Sequence, residues 1–401
     1  MSRRSLENEC RRENRQNRGV DVVRNQSRDD FWRRSSGNFF ISGDENTYAG
    51  DMGWERRQML ISAIKNAPDF APRTVFVLHN DDILEQELIS QAGTLNRQLV
   101  VISGKYRNYH MFYGMNPEQI MTCINEVGNL YRYHNMQDTD AYARAFMEIL
   151  EGVYPISLQS MMALAENSDK KICEIAEFHG VDPDTRERFN WAANTAGTNT
   201  FREILRRISS ATEEITTKSC NTGFNMLTAS RGGEASRVVL INMNSRSPEV
   251  LNRCIRYELE EIRGRRVAVI VDDIPMSRED GIIDAIKNIG RNPYGAAGMC
   301  AGDIFNMISE EDLRGFHTHC VFRHANNRSL ETLLSHYGTY RYAYVQETNT
   351  TSEGRLFVLI PQKSYIKVYE ENHPRIMQQE MSLAVLKGHQ AERPMIVDRL
   401  S

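Results

Sequence analysis

The sequence predicts an α/β protein: a mostly parallel sheet with helices on both faces, interrupted by an inserted all-helical subdomain. Three observations lead there. Short, continuously apolar runs bounded by Gly, Asn and Ser alternate with stretches of helical periodicity over residues 38–103, such runs vanish over 116–216, and they resume from 237.

Residues 1–36 come before the first buried run. They mix Arg, Asn, Gln, Ser and Glu with almost nothing apolar before Val20, too little to offset their ordering entropy, and are expected to form a flexible Arg-rich arm. Phe39-Phe40-Ile41-Ser42-Gly43 is the first buried strand, followed by a polar loop and a helix over 57–65. Thr74-Val75-Phe76-Val77-Leu78-His79 is the second strand, 82–91 a helix and 98–103 the third strand; 37–115 thus form the first part of the core. Asn116-Pro117-Glu118 joins an N-cap, a proline at the first helical position and an acid near the positive helix end, opening a helix through 130. Further helical periods at 139–151, 157–166, 170–179, 184–193 and 200–214 complete the insertion over 116–216.

The second part of the core, 217–361, holds strands at 237–242, 266–271 and 295–301, with helices at 250–263 and 280–290 between them. Strands at 319–323, 341–346 and 355–360 follow, with antiparallel additions expected at this end. The C-terminal extension, 362–401, shows one weak strand at 364–369 and a short helix near 377–387.

A chain of 401 residues, 40% hydrophobic and 25% charged, is large enough for one big domain or two. Its formal charge of −4, from 49 basic and 53 acidic side chains, makes nucleic-acid attraction by the protein as a whole weak, so any such binding needs a local basic patch. Such a patch exists. Ten arginines against six acids give residues 1–37 a charge of +4, which leaves −8 for the rest. Seven scattered cysteines without a Cys-x-x-Cys argue against a disulfide framework and a thiolate zinc knuckle, and fit a reducing compartment. No apolar run approaches the roughly 18–20 residues that span a bilayer, and no apolar core follows the N-terminal arginines, so a cytoplasmic location is expected.

The most informative segment is Val267-Ala268-Val269-Ile270-Val271-Asp272-Asp273, a buried strand ending in an acidic pair at the sheet end where open α/β folds place ligands. In phosphoryl transfer the first carboxylate, Asp272, serves the metal side and the second, Asp273, is the candidate base. The alternative is that both only cap the following turn.

With these elements in order, the chain resembles the HerA/FtsK-type P-loop ATPases, in particular the TraD/TraG-like coupling proteins of conjugation and type IV secretion. The resemblance rests on the Phe-Phe-Ile-Ser-Gly strand, Val-Phe-Val-Leu-His-Asn, the Tyr113–Ile120 opening of the helical insertion, the strand ending in Asp-Asp, Tyr294-Gly295 and Val321–Asn327, and covers roughly residues 38–350. It implies a RecA-like, P-loop-type core, ATP and Mg2+ as cofactors, and a homo- or hetero-oligomer with ring-forming relatives. DNA is an implied partner, with Arg3, Arg4, Arg11, Arg12, Arg15 and Arg18 of the basic arm as candidate contacts.

The chain departs from that pattern at the phosphate loop. Gly-x-x-x-x-Gly-Lys-Ser/Thr wraps phosphates with backbone N–H groups, neutralises charge with lysine and binds Mg2+ through the hydroxyl. No Gly-Lys-Ser/Thr occurs in this sequence. Gly43, Gly50 and Gly53 supply glycines, but counting from Gly50 the second glycine becomes Glu55, the lysine Arg56 and the hydroxyl Arg57. Asp44, Glu45, Asp51 and Glu55 would repel a triphosphate, and a planar guanidinium does not replace an ammonium at a tightly wrapped phosphate. The glutamine expected after the next strand is also missing from Ala296–Asp303. Loss at both positions favours a hydrolysis-deficient subunit over an active Mg-dependent ATPase with an atypical loop, or a nucleotide-free scaffold.

Arg323 and Arg328 stand where one ring subunit presents an arginine to its neighbour's γ-phosphate. His317, His319, Cys320 and His324 hold enough nitrogen and sulfur for a metal, but the apolar Val321 and Phe322 between them favour core histidines. Tyr106, Tyr109, His110, Phe112 and Tyr113, beside Lys105 and Arg107, are read as packing between sheet and insertion before base stacking.

Overall fold

Why the strands fall where they do is visible in their burial: six consecutive buried residues, as at Thr74–His79 and Val267–Asp272, require a sheet covered on both faces. The computed structural model describes residues 3–16, 21–35, 37–43, 53–70, 73–95, 97–195, 197–217, 223–231, 237–304, 308–322, 324, 328–329, 332–333, 340–353, 359–372, 384–387 and 395–400. The chain forms two compact units.

The larger unit comprises Trp32–Phe39 and Arg57–Ala301. Numbered along the whole chain, its strands are β3 (Thr74–His79), β4 (Gln98–Ile102), β5 (Arg237–Asn242), β6 (Val267–Asp272) and β7 (Ala296–Ala301). They lie in the order β7-β6-β3-β5-β4, and every pair is parallel. Helix α3 (Trp54–Asn66) enters this unit at Arg57, and α4 (Asp82–Ser90) follows β3. Gln58 Nε2 donates to Glu87 Oε2 at 2.9 Å and Lys65 Nζ to Gln91 Oε1 at 2.6 Å, which sets α3 beside α4.

Phe76 and Leu78 of β3 face a core that continues into the helical insertion, while Val75 and Val77, equally buried, point to the opposite face. This alternation is the strand period at work, and it requires cover on both sides. The predicted α/β class, its parallel sheet and its helical insertion are what the structure has.

The insertion consists of α5 (Pro117–Leu130), α6 (Met136–Val153), α7 (Leu158–Ala165), α8 (Asp169–Phe178), α9 (Pro183–Ala193) and α10 (Gly197–Ala211). Asn116, Ser157, Ser168 and Asp182 cap α5, α7, α8 and α9 by accepting from first-turn backbone N–H groups. The short α11 (Met226–Ala229) leads back to β5. Helix α12 (Pro248–Ile262) follows β5, and α13 (Ile282–Gly290) precedes β7.

Fully buried Glu258 of α12 fastens both ends of the insertion. It accepts from the Phe112 backbone N–H at 3.0 Å and from the Tyr109 hydroxyl, which in turn accepts from Met226 N at 3.3 Å. Burial pushes the Glu258 carboxyl up to about 7 against these donors, which lower it.

The smaller unit comprises Met1–Phe31, Phe40–Arg56 and Gly302–Ser401. Its helices include α1 (Arg3–Gln16) and α14 (Glu310–Leu313), and α2 (Arg28–Arg34) begins in it. Strands β1 (Asp21–Gln26), β12 (Met395–Leu400), β11 (Ala384–Lys387), β8 (Thr318–Val321) and β2 (Phe39–Ser42) run in that order, with β1 parallel to β12 and β11 antiparallel to both its neighbours. A long antiparallel hairpin joins β9 (Tyr340–Glu353) and β10 (Leu359–Asn372) in register.

Two expectations are corrected in this unit. The 1–36 segment contains α1, β1 and α2 in place of an unstructured arm. Leu6 and Cys10, four residues apart, give α1 a buried stripe, and Glu9 and Glu13 pair with Lys367 of the hairpin. The helix expected near 377–387 ends in a strand: Ala384–Lys387 are β11, and 377–383 lie outside the described residues.

Candidate functional site

The polar residues of the larger unit gather where its apolar strands end. Asn242, His79 and Asp272 are the last residues of β5, β3 and β6, and the strand register sets His79 directly beside each of the other two. Cys300 of β7 continues the row beside Asp272. All four are buried. Sequence reasoning located Asp272 and missed His79 and Asn242; the signal was the same for all three, a polar residue closing a continuous apolar run.

His79 donates its Nδ1–H to the Asp81 carbonyl at 3.1 Å, since a carbonyl only accepts, and its Nε2 lies 3.7 Å from Glu85 Oε2 of α4. Burial pulls the His79 imidazole down to about 4, so the ring is neutral at physiological pH. The same desolvation raises the Glu85 carboxyl, while the Ser103 hydroxyl donating to Oε1 at 3.2 Å lowers it. Asn242 Nδ2 reaches Asp82 Oδ1 at 3.1 Å.

Asp273 differs sharply from its neighbour. It is exposed, its backbone sits at a φ of 52°, and its N–H donates to Cys300 O at 3.0 Å. The left-handed turn swings the chain off β6 at the position predicted for a base, and Asp is among the few residues that enter that region at modest cost. Behind the turn, buried Arg253 of α12 pairs with Asp280 at 3.2 Å, and Asp280 accepts from Asn252 and the Ser277 N–H, holding the following loop.

Of the two candidate arginines after the phosphate loop, Arg57 belongs to this unit. Its side chain is only 2% exposed and lies 3.3 Å from Asp81 and 3.9 Å from Glu87. Asp81 is at the same time the N-cap of α4, accepting from Ile83 N and Leu84 N. The guanidinium expected near a phosphate is thus held by two carboxylates of the fold.

In the smaller unit Gly43 and Gly53 have φ values of 140° and 79°, backbone that favours glycine, and Gly53 immediately precedes α3. Arg56 is buried, and the Arg28 guanidinium sits 5.1 Å over the Trp54 ring. Gly50, Arg18 and Arg323 lie outside the described residues. Arg3, Arg4, Arg11 and Arg12 are exposed on α1, with Arg3 paired to Glu7 at 2.7 Å; Arg15 is on the same helix.

His319 and His324 take buried, core roles, and His317 is half-buried. His319 Nε2 lies 2.9 Å from Phe316 O and its ring 5.8 Å from that of Phe40, and His324 Nε2 lies 3.1 Å from Ser42 Oγ. Among the described residues no group of three or more His, Cys, Asp or Glu is arranged to hold a metal ion. Tyr109 and Phe112 are buried in the core and His110 accepts from Phe224 N at 3.2 Å, so the aromatic cluster is packing, with Tyr106 the exposed exception.

No protein-family model and no curated protein matches the chain. Among solved structures it is similar to the bacterial conjugative coupling protein TrwBdeltaN70. The unbound monoclinic form has 10% identity and a TM-score of 0.46 over 93% of this chain and 86% of that one. The trigonal form in complex with sulphate has 10% identity and a TM-score of 0.48 over 99% and 92%. Plasmid coupling protein TrwB in complex with the non-hydrolysable GTP analogue GDPNP has 8% identity and a TM-score of 0.45 over 96% and 90%. No helix among the described residues is long and apolar enough to cross a membrane.

Proposed function

We propose that the chain is a degenerate subunit of a DNA-transfer or secretion machine, built on a nucleotide-motor fold but deficient in ATP hydrolysis. One observation carries this reading: Arg57, which occupies the place of the Mg2+-binding hydroxyl when counted from Gly50, is a buried cation engaged with Asp81 and Glu87. A guanidinium donates only and cannot ligate Mg2+, and a cation already paired inside the fold is withdrawn from phosphate. With the lysine also absent, the residues present do not fit Mg2+ and ATP as a reacting pair, although Asp272 and Asp273 keep the acidic end of β6. In this reading the Asp272–Asp273 turn persists as a structural remnant, and the protein acts through contacts with other subunits in an oligomer in the cytoplasm.

The DNA contact of this reading runs through α1. Arg4, Arg11 and Arg12 are exposed on α1, on the side away from buried Leu6 and Cys10. Replacing Arg4, Arg11 and Arg12 with Gln should weaken DNA binding uniformly across sequences and reduce the salt slope by about 3, near 1 per phosphate contact. An unchanged slope, read by fluorescence anisotropy, removes α1 from the DNA contact.

Hydrolysis is tested by incubating the full chain with ATP and Mg2+ and measuring released phosphate. The expected result is release indistinguishable from the protein-free blank. Turnover that Asp273→Asn abolishes would establish an active ATPase instead.

A further inference from the structure

We infer that the groove between α6 and α9 is a docking surface for a cationic peptide segment, with Trp191 as its aromatic platform. The groove encloses about 500 Å3. Ala141 and Ala145 of α6 and Ala192 of α9 keep its lining shallow and apolar, and Trp191 stands beside them 71% exposed, although tryptophan is a residue that folding ordinarily covers. The insertion has a full aromatic core without it: Tyr142, Phe146, Phe189 and Phe201 pack ring against ring. Trp191 is left over from that core and faces outward.

Charge selects the occupant. Five charged side chains line the groove, and three of them are satisfied within the fold. Arg144 lies 2.9 Å from both Glu118 and Asp140, and Arg188 lies 2.7 Å from Glu148. Asp184 and Glu187 remain, both exposed and neither with a basic nitrogen within 4 Å among the described residues. Their spacing adds direction. Residues 184, 187 and 191 follow one another by three and four along α9, so two carboxylates and the indole form one stripe on one helix face. Arginine fits that stripe best: its planar guanidinium stacks on an indole face and offers forked donors to carboxylates. A segment with two arginines four residues apart would set one on Trp191 and the other against the acids.

The test titrates the full chain with an acetylated, amidated alanine peptide carrying two arginines four residues apart, following indole fluorescence. A saturable change is expected, absent in Trp191→Ala and absent with the matched two-glutamate peptide. Asp184→Asn together with Glu187→Gln should weaken binding by about tenfold, the size of a lost charge-assisted contact. Should those variants fold poorly by circular dichroism, the wild type supplies the same reading: raising salt from about 0.05 to about 0.5 M must weaken binding, because the pairing is exposed. A non-saturable response, equal response to the glutamate peptide, a response that survives in Trp191→Ala or indifference to salt overturns the proposal. So does sedimentation showing a dimer that Trp191→Ala dissociates, which would make a second copy the occupant.

Discussion

Arg57 holds a full charge at a side-chain exposure of 2%, a placement that the carboxylates of Asp81 and Glu87 help make tolerable. Asp81 therefore has two tasks, capping α4 and neutralising Arg57, and Asp81→Ala should cost about 2–4 kcal/mol in urea denaturation, above the ~1 kcal/mol of a cap alone. A cost near 1 kcal/mol would show that the ion pair contributes nothing. At Asp273 the positive φ makes the opposite prediction: Asp273→Gly should leave stability within about 0.5 kcal/mol, and Asp273→Val should lower it by roughly 1–2 kcal/mol. Glu258 makes stability depend on pH. Its carboxyl is raised from the ordinary 4.5 to about 7 in the folded protein, so the fold binds a proton that the unfolded chain has released. Stability from this group is then highest below about 4.5, falls as pH rises from 4.5 to 7, and is flat above. The fall is of order 3 kcal/mol, and Glu258→Gln, which removes the titrating carboxyl and keeps one oxygen to accept from the Phe112 N–H, should flatten it across that window.

At the scale of elements, the strands were the most legible features because each is a continuous apolar run with a polar stop. Thr74–His79 matches its sequence reading to the residue, and the six helices of the insertion fall within a few residues of their predicted bounds. The terminal segments were not legible, for a physical reason. Leu6 and Cys10 are two apolar residues in an otherwise polar helix, too few to register as amphipathic until the β9–β10 hairpin supplies Lys367 and a surface to cover them. The hairpin is similarly longer than its sequence signal, since Lys, Gln, Ser, Asn and Thr in its 14-residue strands dilute the alternation. Within the insertion, helix approach is set by Gly197 at the start of α10. A Cβ there would come within 2.3 Å of the Asp138 carbonyl of α6, so Gly197→Ala should destabilise the protein by about 1–3 kcal/mol and lower Tm in calorimetry. An unchanged Tm would mean that α10 and α6 separate without penalty.

For the whole molecule, the polar row Asn242–His79–Asp272 was half legible. Asp272 announced itself by standing next to a second acid, whereas His79 and Asn242 acquire meaning only when parallel register brings three strand ends together. The absence of a Gly-Lys-Ser/Thr was legible in full, and the fate of the residue at its hydroxyl position was not: that Arg57 turns to Asp81 and Glu87 depends on α3 lying beside α4. The charge split of +4 over residues 1–37 and −8 over the rest now reads as a basic α1 near the start of the sequence and later acids, such as Asp81 and Asp280, committed to a cap and ion pairs. On the proposed reading, a chain whose Arg57 is held by Asp81 and Glu87 should have no turnover to lose. The most direct measurement is phosphate release by the purified full chain in millimolar ATP and Mg2+, run beside Asp273→Asn. The account predicts both at the blank; release by the wild type that disappears in Asp273→Asn would contradict it.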